Sequence, residues 1–140
     1  MKGKVIGYWV TTVLISLGIG GPGVLDIMNG PDVQEIIKHL GYPSYFAPMI
    51  GVWKMIGVAA ILAPGLPRVK EWAYAGIAFD LISASVSHGM SGDGAQGIVP
   101  PFLFLAVLTA SWALRPQGRV LGQIMSGQSS APAPGAAAAT

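Results

Sequence analysis

The stretch that decides the fold runs from Ile50 to His88. It reads IGVWKMIGVAAILAP (50–64), GLPRVK (65–70) and EWAYAGIAFDLISASVSH (71–88). Two apolar runs flank a short, basic, proline-containing turn. Each run carries one ionisable residue near its middle, Lys54 in the first and Asp80 in the second. Both lie ten residues from the turn, Lys54 before Pro64 and Asp80 after Lys70. If the runs are helices folded back on each other, the two charges sit at one depth, about 15 Å from the turn. A lone Lys or Asp at the centre of a membrane helix costs roughly 2.5–3.5 kcal/mol on insertion scales. Placing the two at matched depth lets each offset the other.

Composition supports a membrane setting. The chain of 140 residues is 52% hydrophobic and only 10% charged, against about 25% charged in a soluble domain. Mean hydropathy is +0.59. The length fits four spans of about 20 residues with short connections. With no cysteine, disulfides, thiol redox chemistry, iron–sulfur ligation and cysteine-based zinc sites are excluded. The formal net charge is only +2, and the basic residues come in scattered pairs, so a nucleic-acid partner is not expected.

Working outward, a basic lead at Lys2 and Lys4 precedes a first span over about 5–25. That run is too long for the core of a signal peptide, so it reads as retained. Tyr8, Thr11, Thr12, Ile15, Ser16 and Ile19 recur at helical spacing and form a semi-polar face suited to packing against protein. Pro22, within GIGGPG, is expected to kink or end the helix. Asn29-Gly30-Pro31 then signals a new start. Val33, Ile36, Ile37 and Leu40 line one face of a short amphipathic helix, which either lies in the membrane interface or packs on the bundle's end.

The second span is expected over 46–63, the third over 71–89 and the fourth over 98–114, opened by Pro100-Pro101. Residues 1–119 would thus form one all-α domain, a four-transmembrane-helix bundle with the amphipathic helix between spans 1 and 2. Residues 120–140 would form a flexible cytoplasmic tail. Lys2, Lys4, Arg68, Lys70, Arg115 and Arg119 would all fall on one side. By the positive-inside rule both termini are then cytoplasmic.

Chemistry is expected where Lys54 meets Asp80. Small or polar neighbours share their faces: Gly51 and Gly57 beside Lys54, and Gly76, Ser83 and Ser87 beside Asp80. Thr11, Thr12 and Ser16 would complete a buried polar cluster. His88 is expected at the outer end of the third span, at the level of Asp26 and Asp93. No spacing of ligands points to a metal, and no nucleotide-binding or hydrolase motif is present. The pair either fixes helix register or handles a proton or the head group of a lipophilic ligand.

These residues carry a resemblance. HLGYPSYFAPMIGVWKMIGVAAILAPGLPRVKEWAYAGIAFDL (39–81), SVSHGMSGDG (85–94) and LRP (114–116) resemble the DoxX-like family of small four-helix bacterial membrane proteins, over roughly 33–116. Family members often carry Ser-Gly and a Lys near the end of the first span. This chain has Gly-Gly-Pro-Gly and Asp26 there, so that lysine's role does not transfer. The resemblance implies a bacterial inner-membrane protein. It also implies a non-catalytic subunit of a quinone-linked respiratory or redox-stress system, with quinone as the implied cofactor and a membrane or redox protein as partner, and it leaves an oligomer open. The residues themselves leave room for a different role, a small membrane enzyme or carrier that uses Lys54 and Asp80 on a lipophilic molecule.

Overall fold

A computed structural model describes residues 1–116 together with 119 and 120; the expected tail, from 121 on, lies outside the described residues. The described residues form five helices, α1 (Lys2–Met28), α2 (Pro31–His39), α3 (Phe46–Leu62), α4 (Pro67–Met90) and α5 (Gly94–Ala113), with no strand among them. α1 and α5 are long and apolar enough to cross a membrane, while α3 is apolar but shorter.

The four long helices close a ring in the order α1, α3, α4, α5 and back to α1. Its core is Ile15, Ile19, Val58, Ile61, Tyr74, Ile77, Leu81 and Leu108. Around that core the usual burial pattern is reversed. Trp72, Phe79 and Leu17 are 78%, 70% and 68% exposed, whereas Tyr8, Thr12, Lys70 and Ser111 are fully buried. A surface of large apolar side chains around buried hydroxyls suits lipid better than water.

Pro22 neither ends nor breaks α1. The helix runs on to Met28 and stops at Asn29, whose backbone is left-handed (φ 53) and whose N–H bonds the Leu25 carbonyl. Asn tolerates this conformation better than most residues. α5 likewise begins earlier than expected, at Gly94, so Pro100 and Pro101 lie inside it and not in its first turn.

α2 starts with Pro31 at its first position and packs on the end of the bundle. Ile37 is buried. The Gln34 side-chain amide donates to the Asn29 side-chain oxygen. Just beyond the helix, Tyr42 stacks on Phe46 and its hydroxyl lies 2.7 Å from Ser87 Oγ.

α4 is rotated relative to the expected face. Lys70, Tyr74, Ile77, Leu81 and Ser85 point inward, while Gly76 and Ser83, expected in the interior, are exposed. The cause is Tyr74. Its hydroxyl finds a partner inside the bundle, 2.8 Å from Ser111 Oγ, so the large aromatic with a polar tip takes the interior and the small residues border an opening.

Candidate functional site

α1 and α3 cross at two glycines. A Cβ added to Gly51 would stand 2.7 Å from the Gly23 carbonyl oxygen, and one added to Gly23 would stand 3.0 Å from Lys54 Cβ. Only bare backbone allows this approach. It brings Asp26, near the end of α1, against the middle of α3. Lys54 Nζ donates to Asp26 Oδ2 at 2.8 Å. Asp80 Oδ2, from α4, lies 4.0 Å from the same nitrogen. Three side chains from three helices thus form one polar group, each between 15% and 20% exposed.

This relocates Asp26. It was expected beside His88 at the outer end, but its partner is Lys54. His88 instead has Asp93, with His88 Nδ1 2.6 Å from Asp93 Oδ2. The other Asp93 oxygen meets His39 from α2. Asp93 thereby ties α2 to the α4–α5 connection. The His88 hydrogen bond, helped by His39, holds the Asp93 carboxyl below the usual carboxylate range. Among the described residues no group of side chains is arranged to hold a metal ion.

The hydroxyls of α1 also go elsewhere. Thr11 donates back to the Gly7 and Tyr8 carbonyls of its own helix. Thr12 Oγ1 lies 2.7 Å from Ser111 Oγ. Ser16 Oγ is buried with no hydrogen-bond partner among the described residues. None of the three reaches Lys54.

Between α3 and α4 lies a cleft of about 390 Å³, within the size range of small-molecule sites. Ile50, Ile56, Ala60, Val69 and Ile77 give it apolar walls, and Trp53 and Trp72 flank it. Gly76 and Ala73 from α4, and Gly57 from α3, leave the room. Lys54 and Asp80 are its charged lining residues. Gly57 is in tight contact, since a Cβ there would meet Ile77 at 3.3 Å, whereas a Cβ on Gly76 would meet nothing within 4 Å.

The opposite end of the bundle holds a network that charge counting alone misses. Lys70 reads as a topology signal, yet it is fully buried. Its ammonium donates to the Ala60 and Ile61 carbonyls at 2.8 Å each and also to the Ala63 carbonyl. It thus satisfies the open carbonyls at the end of α3. Arg115 pairs with Glu71 at 2.7 Å and lies over the Tyr74 ring. Trp112 Nε1 donates to the same Glu71 carboxylate at 3.0 Å, and Arg119 donates to the Tyr8 hydroxyl at 3.0 Å. One signal was available in the sequence: Lys70 lies one helical turn beyond Leu66, where the chain has just folded back onto the end of the preceding helix.

The sequence pattern of the DoxX-like family matches residues 10–111, which takes in α2, α3 and α4 whole and most of α1 and α5. The chain belongs to the DoxX-like family. Neither a curated protein nor a solved structure matches it. Family membership and the two long apolar helices mark this DoxX-like chain as a membrane protein. The matched segment contains Asp26, Lys54, Asp80 and the residues that line the cleft.

Proposed function

We propose that the chain is a four-span protein of the bacterial inner membrane, with both termini cytoplasmic. In this reading it holds a lipophilic molecule in the α3–α4 cleft as a non-catalytic accessory subunit of a quinone-linked respiratory or redox-stress system. The observation that carries the reading is the cleft itself, an apolar groove with Lys54 and Asp80 in its lining. A membrane-soluble body fits the walls, and a polar head fits the charges.

The ring supports four spans. α3 and α4 complete the circle between α1 and α5, so if the outer two cross the bilayer the others lie beside them. The 24 residues of α4 extend about 36 Å, enough for a hydrocarbon core of about 30 Å. The quinone link rests on family resemblance.

A second reading has its own support. One ammonium, Lys54, faces two carboxylates, Asp26 and Asp80. One carboxylate is in excess and is free to take up and release a proton, as a small membrane enzyme or carrier would require.

Mass spectrometry of the gently solubilised chain separates these ideas. A small lipophile that co-purifies with the wild type and is lost when Gly76→Leu fills the cleft supports the binding site. Protein partners alone, retained in Gly76→Leu, argue against it. The triple variant Lys54→Met, Asp26→Asn, Asp80→Asn, which leaves no carboxylate of the group unpaired, should keep assembly if the role is accessory. It should abolish activity, with insertion intact, if the role is catalytic or transporting.

A further inference from the structure

The separation between Lys54 and Asp80 has a consequence for what the cleft accepts. At 4.0 Å the two are too far apart for a direct hydrogen bond. Lys54 has one N–H committed to Asp26 and others unused. Among the described residues no side chain or backbone group hydrogen-bonds the Asp80 carboxylate, and Lys54 Nζ stands 4.0 Å from it. Both side chains line the cleft, and Asp26 does not. The gap therefore opens on the space where a ligand would lie, with a donor on one side and an acceptor on the other.

A single oxygen atom about 2.8 Å from each side chain fits this gap, with an angle of about 90° at the oxygen. While Asp80 is ionised, such an oxygen must accept from Lys54 and donate to Asp80. A hydroxyl does both. An ether or carbonyl oxygen accepts from Lys54 but leaves the Asp80 carboxylate without a donor. An ammonium head donates to Asp80 but cannot accept from Lys54. A carboxylate head accepts from Lys54 but cannot donate to Asp80.

We propose that the cleft selects lipophiles with a hydroxyl head, a phenol or alcohol whose oxygen bridges Lys54 and Asp80. This rests on the reading of the cleft as the binding site. It adds a selectivity.

The test uses the full chain in phosphatidylcholine nanodiscs and two probes of nearly equal shape, para-heptylphenol and its methyl ether. Binding is the uptake of each probe above that of nanodiscs without protein. The phenol should bind about tenfold or more tightly than the ether, the least expected of a hydrogen bond to a charged group. In Asp80→Leu the ratio should fall to within about twofold. If that variant does not insert, Asp80→Asn keeps the shape, and its ratio should also fall. Equal binding of phenol and ether to the wild type overturns the selectivity and leaves the cleft standing as a binding site. Uptake no greater than in empty nanodiscs, or uptake unchanged in Gly76→Leu, overturns the cleft and the selectivity with it.

Discussion

Lys54 and Asp26, 28 residues apart, are joined by a 2.8 Å hydrogen bond where α1 and α3 meet glycine to glycine, and Asp80 stands 4.0 Å off on the cleft side. The ammonium is shared unequally. Removing it leaves two carboxylates facing each other in a largely enclosed site. Lys54→Met should therefore destabilise the bundle by about 3 kcal/mol or more. Lys54→Met combined with Asp26→Asn should recover much of that loss, because the unpaired charge is removed with its partner. Unfolding in mixed micelles measures both; equal losses in the single and double variants would contradict the pairing.

The crossing itself is testable at Gly51. A methyl group there meets the Gly23 carbonyl at 2.7 Å and the side chains of Asp26 and Ile27 at 2.9 Å. Backbone has to move, at a cost of about 1–3 kcal/mol. The same change at Gly76 meets open space and should be close to neutral. Comparing Gly51→Ala with Gly76→Ala in the same unfolding assay checks the placement of the two helices; equal effects would refute it.

These particulars show what could be read from the chain in advance. Counting residues from the turn puts Lys54 and Asp80 at one depth, and the structure sets them 4.0 Å apart. Depth counting says nothing about which neighbouring helix leans in, and by itself groups Asp26 with the outer end. The close approach of Gly23 and Gly51 decides its partner. The small residues beside Asp80 point to that face of α4 as interior, and the structure turns it outward. Tyr74 outweighs them, since its hydroxyl has Ser111 to bond inside, and Gly76 is left bordering a cleft. The basic residues of the other end were legible as a charge bias. That Lys70 folds back to close α3 depends on the turn's geometry, which includes a left-handed Leu66 (φ 53) that no spacing rule anticipates.

The Asp93 bridge predicts a pH response at the end where α2 docks. The His88 and His39 hydrogen bonds hold the folded carboxyl below its ordinary value. Stability from this group is then present above the unfolded carboxylate pKa of about 3.9. It is lost only as pH falls through the lower folded value. Side-chain carboxyl NMR of Asp93 should show it still ionised when an unperturbed aspartate is half protonated. Titration at or above the ordinary value would contradict the bridge, and Asp93→Asn should abolish the response.

The absence of native cysteine makes topology directly measurable. Single cysteines at Gly3, at Gly65 and at Gly92 report the N-terminal end and two connections of the proposed four-span arrangement. In intact cells a membrane-impermeant thiol reagent should label Gly92→Cys and spare Gly3→Cys and Gly65→Cys. Labelling of Gly65→Cys, or protection of all three, would contradict four spans with a cytoplasmic N-terminus.

The most direct measurement of the central claim places one cysteine at Gly76, on the cleft, and one at Ala75, which is exposed at the same depth but on another face of the helix and does not line the cleft. Both are probed with a membrane-permeant thiol reagent, with and without para-heptylphenol. If the α3–α4 cleft is where a lipophile sits, the phenol slows modification of Gly76→Cys several-fold and leaves Ala75→Cys unchanged. Equal rates at Gly76→Cys with and without the phenol, or equal slowing at both positions, would show that the cleft is not the binding site.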